Sequence, residues 1–102
     1  MDTFAVLAEP TRRQILDELR ASERSVGELV QSLAISQPTM SKHLKVLREG
    51  GLVTCRVAAQ RPIYQLETAP FRSVDDWLAP YRALWAERLD ALERHLAEQE
   101  QP

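Results

Sequence analysis

Cysteine, glycine and aromatic residues are all scarce in this chain of 102 residues, which has one cysteine, three glycines and two each of phenylalanine, tyrosine and tryptophan. A single cysteine excludes an intramolecular disulfide and suits a reducing compartment. There is no glycine-rich loop to cradle a phosphate. No nucleophile, base and orienting group stand together either, so no enzyme is expected. No apolar run approaches a membrane span, and the N-terminal residues lack the basic-then-apolar pattern of a signal peptide, so a cytoplasmic protein is expected. Internal repeats, low-complexity tracts and flexible linkers are missing too. The length predicts one domain over residues 1–102, with only the last few residues expected to fray.

A large excess of charge of either sign is also absent, since the formal net charge is -2. That total argues against a generically basic nucleic-acid binder, but it hides an asymmetry. Residues 36–61 hold Lys42, Lys45, Arg48, Arg56 and Arg61 against the single acid Glu49, a local +4. Residues 69–102 hold four arginines against seven acids, a local -3. A phosphate meets the local field and not the sum. The acidic residues Glu93, Glu98 and Glu100 keep the distal end soluble and away from a polyanion.

The pattern along the chain is mainly helical. Residues 2–8 predict a short helix with Phe4 and Leu7 on one side. Pro10 sits where a helix can begin, because a first-turn proline forfeits no helical hydrogen bond, and Ile15, Leu16 and Leu19 stripe a helix that ends near Ala21. Ser25-Val26-Gly27-Glu28 has the spacing of a capping box and opens a short helix burying Val26, Leu29, Val30 and Leu33. Ser36 caps the next helix, which Gly50-Gly51 stops. Leu52–Val57 and Ile63–Leu66 favour strands, with a turn over Ala58–Pro62. A long helix follows from about Pro70 to Glu98, and Pro80 must start a new segment or kink it.

The helix after Ser36 carries the most information. Met40, Leu44 and Leu47 recur at helical spacing and form one buried stripe. Between them lie Gln37, Thr39, Ser41, Lys42, His43 and Lys45, short polar or basic side chains with little to offer a core. Such a face fits the major groove, where base edges offer acceptors and flanking phosphates offer charge. Two helices joined by Ala34-Ile35, the second with this face, make a helix-turn-helix, and the hairpin carrying Arg56 and Arg61 makes a wing. The fold class is therefore mainly α with a two-stranded β-hairpin, a winged helix-turn-helix. Its DNA-binding core runs over about residues 10–67. Gln37 and Ser41 are the candidates for base edges, with Thr39 and Lys42 also facing the groove. Ser36, His43, Lys45 and Arg48 would position the helix on phosphates, while Arg56, Gln60 and Arg61 anchor the wing.

Three segments carry a resemblance to a known family: Leu7-Ala8-Glu9-Pro10-Thr11-Arg12-Arg13-Gln14-Ile15-Leu16, the stretch Ser36-Gln37-Pro38-Thr39-Met40-Ser41-Lys42-His43-Leu44-Lys45-Val46-Leu47, and Gly50-Gly51-Leu52-Val53. Together they resemble the ArsR-type (ArsR/SmtB) family of small bacterial winged-helix repressors. The ending Trp77-Leu78-Ala79-Pro80-Tyr81, followed by Trp85, is similar to a metal-free branch. The resemblance implies a homodimer formed through the first and last helices (residues 2–8 and about 70–98). It also implies an inverted-repeat operator, often that of the protein's own operon, and release of DNA when an effector arrives. The broad apolar stripe of the last helix independently calls for a second copy. Phe4, Leu7, Trp77, Leu78, Tyr81, Trp85, Leu89, Leu92 and Leu96 are the expected dimerisation residues.

Metal sensing, the best-known activity of that family, does not carry over. One family site needs cysteines where this chain has Gly27-Glu28-Leu29-Val30. The other needs an Asp-x-His pair that would fall at Arg82 and Leu84, although His95-Leu96-Ala97-Glu98 matches its second half. Half a site provides two ligands where zinc takes about four, so no metal and no cofactor are expected. His43 reads as a partner for DNA or backbone and not as a metal ligand. Cys55, sharing a face with Val53 and Val57, reads as a small core residue, with an intersubunit pairing left open. Arg12 and Arg13 either reach phosphates or are solvated. Two alternatives stand beside a DNA-binding repressor: an effector-responsive sensor with a small molecule between the last helices, and a winged helix used only for protein contacts.

Overall fold

A computed structural model describes residues 2–100 of the chain, and the fraying expected of the last few residues falls partly on positions 101 and 102, outside the described residues. The elements run α1 (Thr3–Leu7), α2 (Pro10–Ala21), β1 (Arg24–Ser25), α3 (Val26–Leu33), α4 (Gln37–Glu49), β2 (Val53–Ala58), β3 (Arg61–Leu66) and α5 (Phe71–Glu100). They fall into two compact units, Met1–Arg72 and Ser73–Pro102.

Local chemistry sets the helix boundaries in the first unit. Glu9 caps α2, its carboxylate accepting from the Thr11 backbone N–H, and Pro10 follows in the first turn. At α3 both halves of the capping box form: Ser25 Oγ accepts from the Glu28 N–H at 3.2 Å, and Glu28 Oε1 accepts from the Ser25 N–H at 3.0 Å. Ala34 then takes a left-handed conformation (φ 55°, ψ 43°), the one-residue reversal that separates α3 from α4. The C-terminus of α4 closes as a Schellman motif. Leu52 N–H donates to the Leu47 carbonyl at 2.9 Å and Gly51 N–H to that of Arg48 at 3.0 Å. Gly51 supplies the positive φ of 76° that this motif requires. Leu47 and Leu52, the apolar pair that accompanies the motif, are both fully buried.

Those caps bring the apolar stripes onto one core of Val6, Ile15, Leu16, Leu19, Leu29, Met40, Leu44, Leu47, Leu52 and Val53. Val6, and not Phe4 or Leu7, is the residue α1 buries in it; Leu7 packs against the core from its edge and Phe4 stays exposed. Gly50 lies close against Val6, where a Cβ would come within 3.1 Å of Val6 Cγ2 and Val6 would have to give by a few tenths of an ångström. A five-residue helix cannot hold itself together. Arg12 and Arg13 hold it: Arg12 Nε donates to the Val6 carbonyl at 2.7 Å and its Nη2 to that of Ala5 at 3.3 Å, while Arg13 Nη1 donates to Leu7 at 2.6 Å. Both arginines therefore have backbone partners in α1, and neither is simply solvated.

The sheet is larger by one strand than the expected hairpin. It has the order β1-β3-β2, antiparallel throughout, with Arg24↔Tyr64 and Ser25↔Ile63 on one side of β3 and Val53↔Leu66 to Ala58↔Arg61 on the other. β1 is two residues long, too short to show alternation, and exists because the chain must be extended at Ser25 to cap α3. The hairpin turns at Ala59 and Gln60, both with positive φ (51° and 63°). Val57 is 75% exposed, since it pairs with Pro62 beyond the point where the sheet leaves the core. Cys55 does share its face with Val53, but it is half-buried, lying opposite Tyr64. Burial, together with the neighbouring Cys55, raises the Tyr64 phenol above its ordinary pKa.

The second unit is the remainder of α5. The helix continues through Pro80 and does not restart there. Pro80 has no N–H for the Asp76 carbonyl. An ion pair, Arg82 Nη1 to Asp75 Oδ1 at 2.6 Å, spans the interrupted turn. Among the described residues no helix is long and apolar enough to cross a membrane.

Candidate DNA-binding surface

α4 divides cleanly into two faces. Met40, Leu44 and Leu47 are at most 1% exposed, and each buries enough area to contribute about 1.5–3 kcal/mol, which fixes the rotation of the helix about its axis. With that stripe inward, Ser36, Gln37, Thr39, Ser41, Lys42, Lys45 and Arg48 are all exposed. Ser36 spends its hydroxyl on the cap, accepting from the Thr39 N–H at 3.4 Å and donating to Thr39 Oγ1 at 3.0 Å. Thr39 is thereby locked in place at the leading end of the helix. His43 stands apart from the rest of the set. It is half-buried and near enough to Glu9 at the start of α2 for its charge to help lower that carboxyl, behind the larger effect of the Thr11 N–H.

The wing lies beside the leading end of α4. Gln37 and Arg61 line a single cleft of about 280 Å³ together with Ser25, Val26, Gly27 and Pro62. The cleft joins the first turns of α3 and α4 to the start of β3. Behind it the Glu28 carboxyl sits below its ordinary pKa, held there first by the Ser25 N–H, then by the Ser25 hydroxyl and the charges of Arg24 and Arg61. Gln60 is exposed at the hairpin tip. Arg56 is exposed as well, but its Nη2 is paired with Glu23 Oε1. Glu23, Val26 and Gly27 were not among the expected site residues. Val26 and Gly27 could have been found from the capping box, whose first turn points its free N–H groups outward. Nothing in the sequence marks Glu23.

The α5 face expected to dimerise is laid out in the open. Trp77, Leu78, Tyr81, Leu84, Trp85, Leu89, Leu92 and Leu96 are all exposed, Trp85 at 65%, and Trp77 and Tyr81 pack ring to ring with centroids 5.0 Å apart. Leu84 belongs to this row although it was not among the expected dimerisation residues. His95 Nε2 lies 3.0 Å from the Gln99 side-chain nitrogen. Among the described residues, no group of three or more His, Cys, Asp and Glu stands close enough together to hold a metal ion.

A helix-turn-helix whose second helix buries one stripe and offers polar and cationic side chains on the other, followed at once by an antiparallel hairpin, is a winged helix. A helix-turn-helix domain family matches residues 7–56. The HTH-type transcriptional regulator Rv2034 of Mycobacterium tuberculosis is 46% identical over 64 residues, 63% of this chain and 60% of that protein. The chain thus spans less than two thirds of that relative's length. Two solved structures match more of it. One, a possible transcriptional regulator for arsenical resistance, is 35% identical with a TM-score of 0.65 and 96% of each chain covered. The other, an ArsR-like transcriptional regulator from Rhodococcus sp. RHA1, is 30% identical with a TM-score of 0.70, covering 91% of this chain and 88% of that one. The chain belongs to the ArsR family of winged helix-turn-helix transcriptional regulators.

Proposed function

We propose that this protein is a sequence-specific transcriptional repressor that binds duplex DNA in the cytoplasm as a homodimer and acts by occupancy, not catalysis. The observation that carries the reading is the outward face of α4. Gln37, Ser41, Lys42, Lys45 and Arg48 are exposed there, and Gln37 shares a cleft with Arg61 of the wing. On this reading Gln37 and Ser41 meet base edges, while Lys42, Lys45, Arg48 and Arg61 meet phosphates. Support for the homodimer comes from α5. A row of large apolar side chains such as Tyr81, Trp85, Leu89 and Leu92 is costly in water, and a second copy covers it with the same row. Two-fold symmetry then sets the recognition helices about one DNA turn apart, on an inverted-repeat site.

The test is binding of the purified protein to duplex DNA from its own upstream region, against scrambled DNA, over a salt series. Tight, salt-dependent binding with two subunits per site and a clear preference for the upstream DNA is expected of an autoregulatory repressor. Absence of binding even at low salt would overturn the reading in favour of a protein-contact module.

A further inference from the structure

Arg56 and Glu23 are 33 residues apart in sequence and meet over the root of the wing. Arg56 lies on β2 opposite Ile63, and Ile63 pairs on its other side with Ser25 of β1. Glu23 immediately precedes β1, so its carboxylate passes the central strand to reach the guanidinium on the far one. The neighbouring acid Glu18 is committed elsewhere, accepting from Ser32 Oγ at 2.7 Å and pairing with Arg24 at 3.7 Å. Of the five cations in residues 36–61, Arg56 is the one that forms an ion pair among the described residues. Lys42, Lys45, Arg48 and Arg61 face solvent without one.

A carboxylate and a phosphate make the same demand on a guanidinium: two acceptor oxygens and a negative charge. The guanidinium has five N–H donors but a single positive charge, and that charge is what the two anions compete for. We propose that Glu23 is an internal competitor for DNA, a carboxylate that occupies Arg56 in the free protein and must be displaced by a backbone phosphate of the duplex. The inference rests on the DNA-binding reading and adds to it what controls the wing. Both partners are exposed, with side chains 53% and 42% accessible, so the pair is weak enough to be exchanged. A duplex has condensed cations to release, which a carboxylate lacks, and this favours the exchange. The exchange is not free, because Glu23 must be left solvated and unpaired. Glu23 therefore lowers affinity for duplex DNA, while the Arg56–phosphate contact and the counterions it releases remain in the salt dependence.

The experiment is a double-mutant cycle of E23Q and R56A, measured by binding to a random-sequence duplex of about three helical turns across a salt series. E23Q is expected to bind about threefold more tightly at low salt, the scale of an exposed ion pair. The slope of log K against log salt should stay at the wild-type value, since Arg56 meets a phosphate in both proteins. In the R56A background the gain should vanish, and the slope should flatten by about 0.9 per protomer. Weaker binding by E23Q would overturn the proposal, since Glu23 would then be positioning Arg56 for DNA. An equal gain in the R56A background would overturn it too, the gain being one of net charge alone. Wild-type protein is measured first. Its failure to bind any duplex would sink the DNA-binding reading itself, before any variant is compared.

Discussion

Arg12 offers the sharpest test of how the first helix is held. In Arg12→Ala, α1 loses two hydrogen bonds to its C-terminal carbonyls, one at 2.7 Å and half-buried, the other at 3.3 Å and exposed. A hydrogen bond from a charged donor contributes about 1.5–3 kcal/mol net, and the exposed one is discounted nearly to zero by water, so roughly 1–2 kcal/mol is at stake. Arg13 still donates to Leu7, so α1 loosens without being lost. Val6 is then less firmly seated against the core and Gly50. With a urea m-value of about 1 kcal/mol/M, the unfolding midpoint should fall by roughly 1–2 M at unchanged slope. Hydrogen exchange should show the amides of residues 4–8 losing protection while those of α4 keep theirs. Lysine should not rescue, because an ammonium cannot fork between two carbonyls in the fixed geometry of a guanidinium. A change within about 0.5 kcal/mol, the range of an ordinary surface substitution, with α1 exchange unaltered, would refute the clamp.

Lys42→Ala should weaken binding to every duplex and flatten the salt slope by about one phosphate, whereas Gln37→Ala should cost about 1–3 kcal/mol at the right site only; binding isotherms on operator and scrambled DNA separate the two. Gln60→Gly should raise stability by about 1 kcal/mol, because the φ of 63° at this position strains any residue with a Cβ, and chemical denaturation reads the difference. Glu28 has a folded-state pKa below its unfolded one, so its share of stability is full above the ordinary carboxylate range and is lost as pH falls through the lowered value. Glu28→Gln should keep the neutral half of the capping box and remove that part of the acid transition, seen by following unfolding midpoints from neutral to acid pH.

The helix-turn-helix was legible because its determinants are local. Met40, Leu44 and Leu47 announce a buried stripe by spacing alone, and Ser25 and Glu28 announce a cap from three residues apart. What stayed hidden depends on distance in space. Arg12 and Arg13 look alike whether they face solvent or the end of a helix, and only the path of α1 decides between the two. The third strand escaped because two residues carry no period. Val57 was misplaced as a core neighbour of Cys55 because alternation gives the face of a strand but not where the core beneath it ends. Pro80 is compatible with a break or a continuous helix, and the apolar residues on both sides of it suit either.

The sheet is widest at its middle. Three strands lie abreast at Ile63 and Tyr64, and two at Gln65 and Leu66 on one side and at Pro62 and Arg61 on the other. In mechanical terms the wing is a ribbon braced at mid-length, with an unbraced tip beyond the brace. A two-stranded ribbon standing alone is only marginally stable, so the compliance is concentrated in the segment that carries Gln60 and Arg61, while Gln65 and Leu66 stay in fixed register at the base. DNA grooves vary in width with sequence. A beam that bends only near its end can meet a narrow groove or a wide one without disturbing the seating of α4.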